Sequence, residues 1–231
     1  MATDITLYHC WSARSFRPLW TLEELGVPYN LHMLPFPPRV LKPEYLEINP
    51  LGTIPYLIDG ETRMTESAAM CEYLVNRYGP TPLAVAVDEP GYGDFLNFLH
   101  HGEATLTFPQ TLVLRYSQLE APARRLPQAA DDYARWSLAR MRMIAARLES
   151  NDYLAAGRFT AADISVGYAL MFTVFTGLVS YLPPAVARYW ERLQARPGFK
   201  AARAAEDRAA DAAGTDTRLQ PAPRFELAPK S

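Results

Sequence analysis

Cysteine is almost missing from this chain: among 231 residues only Cys10 and Cys71 occur. Two thiols so placed form no CxxC pair, no zinc-ligand spacing and no disulfide framework, and they fit a reducing compartment. Net charge is small as well. The 23 Lys and Arg nearly balance the 25 Asp and Glu, leaving −2 at neutral pH, so nothing in the charge calls for nucleic acid or an anionic membrane as partner. The opening "MATDITLYHC" has no basic stretch followed by a long apolar one, so no signal peptide is expected. A long apolar run is lacking too. The most apolar window, Ile164 to Leu182, is interrupted by Ser165, Gly167, Thr173, Thr176 and Gly177, and reads as a buried helix rather than a membrane span. These absences together imply a soluble, cytoplasmic chain.

What is present is ample core material, 49% hydrophobic residues, enough for one large domain or two small ones. The 20 prolines cluster in connections: Pro35, Pro37 and Pro38, then Pro80, Pro82 and Pro90, then Pro183 and Pro184. Up to about residue 80, strand and helix signals alternate. "DITLYH" is a short strand with Ile5 and Leu7 on one face. "SFRPLWTLEELG" places Leu19, Leu22 and Leu25 at helical spacing with Gly26 as the stop. "VPYNLHML" is a second strand, and "PEYLEINP" a short turn or helix ended by Asn49-Pro50. "IPYLID" and "TRMT" form a hairpin about Gly60-Glu61, and "SAAMCEYLVNRYG" a second helix closed by Gly79. The order predicts a small mixed sheet with helices on its faces, an α/β domain over residues 1–80.

"PTPLAVAVDEPG" reads as the linker, residues 81–90. Beyond it the strand signal ends. Helices are expected from Tyr92 to Ser117, Gln128 to Leu148, Ala161 to Leu178 and Pro184 to Ala195, within an all-helical domain over residues 91–212. Leu96, Leu99 and Ala104 define one expected apolar face, and Met141, Ile144 and Leu148 another. In "GRFTAAD", Thr160 and Asp163 have the spacing of a capping box, flanked by Phe159 and Ile164 at the staple positions. That motif implies stability, not chemistry. Residues 213–231 are polar and proline-punctuated, and an irregular tail without its own core is expected there. The Ala-rich "KAARAAEDRAADAAGT" just before it reads as a helix capping the N-terminal domain.

The stretch "GTIPYLIDGETRMTES" carries the chemistry. Pro55 cannot donate to a sheet ladder, so it marks a strand edge or unusual backbone. A cis Ile54–Pro55 bond would leave the Ile54 N–H and C=O facing outward, able to pair with an extended peptide. Glu66 and Ser67 stand where the next helix begins, and its N-terminus favours a carboxylate. A small peptide with an α-amino acid end fits such a site.

This pattern resembles the glutathione-binding segment of cytosolic glutathione S-transferases. The resemblance extends through "LYHCWSARSFRPLWTLEELGVPYNL", "PEYLEINPLG" and "GRFTAADISVGYAL", about Ile5 to Phe199. It implies a thioredoxin-like N-terminal domain of order β-α-β-α-β-β-α, a helical C-terminal domain and a homodimer. It also implies glutathione as co-substrate, with Ile54 beside Thr53 and Pro55 pairing the cysteinyl backbone, and Glu66 and Ser67 holding the γ-glutamyl end. Arg39, Lys42 and the Thr53 backbone are candidates for the glycyl carboxylate.

A free thiol ionises near pH 8.5, so making the sulfur reactive at neutral pH needs roughly 2.7 kcal/mol of thiolate stabilisation for a shift of about 2 units. The loop "HCWSARSFR" is where a hydroxyl and a helix N-terminus can supply it. Relatives with a catalytic serine usually place it four residues before the equivalent of Arg17, which is Ala13 here. The loop is nearest to that of bacterial glutathione-dependent β-etherases and fungal-type relatives, with Arg14 where they carry Asn. Ser12 and Ser15 rank first as activators, then Arg14, then Cys10, with Tyr8 a strand residue.

Trp11, His101 and Phe108, with Phe98 and Tyr116 near by in sequence, are the candidates for an electrophile pocket between the domains. The pair His100-His101 points about 100° apart on a helix and does not chelate one ion, so no metal is expected. The expected function is glutathione S-transferase chemistry on a hydrophobic or aromatic electrophile, ether cleavage or dehalogenation among the options. Glutathione-dependent thiol exchange or isomerisation is the rival enzyme reading, and a non-catalytic binding module the rival outside catalysis.

Overall fold

The computed structural model describes residues 4–214, 218 and 220–229. They form two compact units. One holds the described residues of 1–84 and 194–219, the other those of 85–193 and 220–231.

The first unit is built on a four-stranded sheet of order β2-β1-β3-β4. Strand β1 (Ile5–His9) lies inside it, parallel to β2 (Asn30–Met33) and antiparallel to β3 (Tyr56–Asp59), which pairs antiparallel with β4 (Thr62–Met64). Period-two alternation buries Ile5, Leu7 and His9 completely. Helix α1 (Phe16–Leu25) connects β1 to β2 and stops where Gly26 turns left-handed, φ +64, its N–H bonding the Leu22 carbonyl. A single turn, α2 (Pro38–Leu41), and a 3-10 turn (Pro43–Glu47) lead to the hairpin, whose Gly60 has φ +56. Helix α3 (Ser67–Arg77) closes the expected β-α-β-α-β-β-α order, the thioredoxin-like arrangement.

The Ala-rich stretch joins this unit. It forms α9 (Pro197–Ala212), packed along α1. Phe199 meets Phe16 and Trp20 edge-on at 5.5 and 5.0 Å, and Arg196 forks onto Glu24 at 2.8 and 2.9 Å. The sequence division assigned 91–212 to one helical domain; the compact units instead part at residue 194, because the buried face of α9 matches α1.

The second unit is helical: α4 (Tyr92–His100), α5 (Phe108–Leu114), α6 (Pro127–Leu148), α7 (Ala161–Phe175) and α8 (Pro184–Gln194). The single helix expected from Tyr92 to Ser117 is instead interrupted by wide π turns over His101–Thr107 and Arg115–Leu119. Pro109 supplies the reason for the first. It has no N–H for the Thr105 carbonyl and its ring would strike that carbonyl, so the turn before it widens. Thr107 Oγ1 donates to the Gly102 carbonyl at 2.8 Å. Gly102 itself lies against α7: a Cβ there would come within 2.6 Å of the Ser165 carbonyl carbon. The core face of α4 is Phe95, Phe98 and Leu99, whereas the expected Leu96 is half-buried and Ala104 exposed.

Helix α7 is almost wholly buried and begins with the expected capping box. Asp163 accepts from the Thr160 N–H at 2.8 Å and hydroxyl at 3.1 Å, from the Leu154 N–H at 3.1 Å and from the Tyr189 hydroxyl at 2.6 Å.

The described tail residues 220–229 are irregular but docked. Ala222 N–H reaches the Val174 carbonyl at 3.2 Å, Phe225 N–H the Gly177 carbonyl at 2.9 Å, and Ala228 N–H the Asp131 carboxylate at 2.8 Å. Phe225 and Leu227 cover Val113, Ala134 and Leu178. Gly177 has φ +72, and a Cβ there would overlap the Pro223 carbonyl oxygen. Gly177→Ala is therefore expected to lift the tail: amide exchange of Phe225 and Ala228 should rise at least about tenfold, while α7 amides stay protected. Unchanged exchange at both positions would contradict this docking.

Candidate active site

The loop after β1 turns sharply. Ala13 N–H bonds the Cys10 carbonyl at 3.1 Å, and Phe16 N–H the Ala13 carbonyl at 2.8 Å, feeding the chain into α1. At its tip Ser12 is left-handed, φ +53. Both candidate serines point into the protein. Ser12 is buried, its Oγ accepting from Arg203 Nη1 at 2.7 Å and its N–H donating to Glu206 at 2.8 Å. Ser15 is buried with its Oγ 3.4 Å from the Cys10 N–H and 3.5 Å from the Cys10 carbonyl. Ala13 and Arg14 are the partly exposed residues of this tip. Trp11 is half-buried, its Nε1–H donating to Asp207 at 2.7 Å. Tyr8 sits in an aromatic group with His32 and Tyr56 of the sheet and Tyr45 of the 3-10 turn.

Cys10 is fully buried, and burial pushes its thiol up to about 12; burial likewise lifts Cys71 to about 11. A thiol so held is hardly ionised at neutral pH. Native protein is expected to resist alkylation by iodoacetamide at both positions until denaturant is added. Prompt labelling of Cys10, read by mass spectrometry, would refute that.

The Ile54–Pro55 bond is cis, and β3 begins only at Tyr56. Ile54 thus stands ahead of the ladder. The preceding Thr53 carbonyl is already occupied, accepting from the Tyr45 hydroxyl and Asn49 Nδ2 at 2.8 Å each, which fixes the turn from below. Gly52 has φ +59, and a Cβ on it would lie 2.7 Å from Arg39 Cβ. Arg39 therefore starts beside this turn; exposed Lys42 ends α2. Glu66 is exposed at the cap of α3, and Ser67 is its first residue. Ser67 Oγ accepts from Arg17 Nη1 at 3.1 Å. Arg17 is completely buried, placing a cation beneath the positive end of α3. Sequence reasoning used Arg17 only as a landmark; its burial amid "SFRPLW" carries no local signal beyond a basic residue on an apolar face.

His101 and Phe108 belong to the second unit. His101 opens the first π turn and lines an open recess of about 330 Å³ with Leu96, Asn97, His100, Ala104 and Thr105. Its Nε2 is buried without a partner among the described residues, and desolvation holds the imidazole below its ordinary pKa. Phe108 is exposed at the start of α5. Phe98 is buried and Tyr116 half-buried.

Known proteins resemble this chain in sequence and in fold. The family profile of the glutathione S-transferase N-terminal domain matches residues 11–77, the span from the β1 loop to the end of α3. Glutathione S-transferase 3 of Schizosaccharomyces pombe is 30% identical over 77% of this chain and 76% of its own length. The chain belongs to the glutathione S-transferase family. Glutathione S-transferase F10 of Arabidopsis thaliana is likewise 30% identical, over 85% of this chain and 94% of its own. The crystal structure of glutathione transferase URE2P8 from Phanerochaete chrysosporium with oxidized glutathione shares the fold, with TM-score 0.78 and 20% identity over 91% of this chain and 98% of that one. These named glutathione S-transferases support a glutathione transferase enzyme of the cytosolic superfamily. Among the described residues, no helix of the transferase is long and apolar enough to cross a membrane.

Proposed function

We propose that the chain binds glutathione along Ile54, with the γ-glutamyl end at Glu66 and Ser67, and presents its sulfur as thiolate to a hydrophobic or aromatic electrophile. The observation that carries this reading is the pairing of buried Arg17 with Ser67 at the start of α3, the helix that follows the hairpin opened by the unladdered Ile54. A cation and a helix N-terminus at one point suit a carboxylate. Arg39, started beside Gly52, suits the glycyl carboxylate better than Lys42 does. With Ser12 and Ser15 turned inward, Arg14 is the charged residue of the loop that reaches solvent, and it stabilises the thiolate electrostatically. Sulfur then attacks the electrophilic carbon, forming a C–S bond as the leaving group departs with its electron pair. Ether cleavage and dehalogenation are the finer options, separable by a panel of aryl ethers and aryl halides.

A homodimer and a cytoplasmic location belong to the same reading. Exposed Val40, Leu41 and Leu51 give the first unit apolar surface of the kind a partner subunit covers, and sedimentation equilibrium tests it. Retention on immobilised glutathione, followed by an ultraviolet thiolate band at neutral pH, tests the activity. The inward-facing serines favour one second reading, a module that binds glutathione without ionising it, for which retention occurs and the band is missing. No retention would overturn both.

A further inference from the structure

Three polar residues of α9 converge on one loop, while Asp211 pairs elsewhere, with Arg218. Arg203, Glu206 and Asp207 stand at i, i+3 and i+4, on one face of an otherwise Ala-rich helix, and all three grip the loop after β1. Glu206 is completely buried. Its Oε2 accepts from His9 Nε2–H at 3.0 Å and from the Ser12 N–H at 2.8 Å, and Arg203 pairs with its other oxygen. Arg203 also donates to Ser12 Oγ at 2.7 Å and lies 4.6 Å from the Trp11 ring centre, while Asp207 accepts from the Trp11 indole at 2.7 Å.

A buried carboxylate is costly unless paired and hydrogen-bonded, and this one is held by three donors around a single turn. The residue it holds is itself out of the ordinary: φ +53 is a conformation that a serine adopts only where surroundings impose it. Breaking the Ser12–Glu206 contact would let Ser12 return to negative φ, rotating the following peptide units and with them Ala13 and Arg14.

We propose that Glu206, partnered by Arg203, is a positioning residue for thiol activation. By fixing Ser12 left-handed it turns Ala13 and Arg14 outward, toward the place the sulfur of bound glutathione occupies. Glu206 touches neither the tripeptide nor the thiol proton; it acts through the loop backbone. The inference rests on the glutathione reading above and adds to it a helix from the far end of the chain. It also gives Arg203, Glu206 and Asp207 of the Ala-rich stretch a task, where the sequence suggested only a cap.

The test compares full-length wild type, Glu206→Gln, Glu206→Ala and the pair Glu206→Ala with Ser12→Gly. Glutathione affinity is read by calorimetry, the pH midpoint of the bound thiolate band by absorbance, kcat with 1-chloro-2,4-dinitrobenzene, and folding by circular dichroism. Glu206→Ala is expected to raise the midpoint by about one pH unit and lower kcat about tenfold or more. Affinity should change by less than about threefold, since Ile54, Arg17 and Ser67 are untouched. Glu206→Gln keeps an acceptor for the Ser12 N–H and should show a smaller shift in the same direction. Adding Ser12→Gly should recover most of the loss, because glycine takes positive φ without penalty; a purely structural role gives no such rescue. An unchanged midpoint in folded Glu206→Ala overturns the positioning role alone, and so does parallel loss of affinity and kcat without rescue. Should Glu206→Ala not fold, Glu206→Gln decides: a raised midpoint supports the role and an unmoved one overturns it. Wild type that binds no glutathione overturns the site reading, and the positioning role with it.

Discussion

Replacing Asp163 with alanine is expected to destabilise the second unit by at least about 4 kcal/mol, lowering the melting temperature by roughly 10 °C or more. The carboxylate accepts from four groups, and the variant leaves them with no partner in a fully buried place. Each unsatisfied buried donor costs about 1–3 kcal/mol, and loss of a helix cap about 1 kcal/mol. Against a total stability of about 5–15 kcal/mol the effect is large. The pH dependence has a definite sign. Burial raises the Asp163 carboxyl from 3.8 to about 6 against the pull of its donors, so the folded state binds the proton more tightly than the unfolded chain does. Its stabilising contribution is full below the unfolded value and is lost as pH rises through about 6. Urea unfolding of wild type and Asp163→Asn should thus show a gap that narrows from pH 4 toward pH 7. A gap that widens over this range contradicts the assignment.

Arg17→Met is expected to weaken glutathione binding about a hundredfold. A unit charge about 6 Å from a carboxylate at an effective dielectric near 20 contributes roughly 3 kcal/mol, which is about two decades in affinity. Arg17 is buried under Ser67, so its charge is little screened by salt. Arg17→Lys retains the charge while losing the planar fork, and should lose about tenfold or less. Calorimetry of the two variants measures both. Equal affinities for Arg17→Met and wild type would remove the γ-glutamyl carboxylate from this end of α3.

Much of this architecture is legible in the sequence because local rules and tertiary packing agree. Gly26 ends α1 in the left-handed turn that its position suggests, the alternation in "DITLYH" buries Ile5 and Leu7, and Thr160 with Asp163 form the reciprocal cap. Pro55 at the mouth of a strand likewise announces an unusual backbone. Where the reading falls short, the cause lies outside the local window. An α turn and a π turn use the same residues, so the break at His101–Thr107 shows only through Pro109 and through Gly102 pressed on Ser165. The apolar face of α9 could meet any helix; that it meets α1 is decided in three dimensions. Ser12 and Ser15 look equivalent to an exposed hydroxyl in sequence, and become inward-facing through Arg203 and the Cys10 backbone, 191 and 5 residues away. Among the described tail residues Phe225 and Leu227 are the large apolar anchors, and the docking depends on the bare backbone of Gly177.

The assignment stands or falls most directly on a crystal structure of the wild-type chain soaked with glutathione. Glutathione is expected with its cysteinyl backbone against Ile54, its γ-glutamyl carboxylate within hydrogen-bonding reach of Ser67, and its sulfur over Ala13 and Arg14. Glutathione seated elsewhere, or its sulfur turned away from the loop after β1, would contradict it.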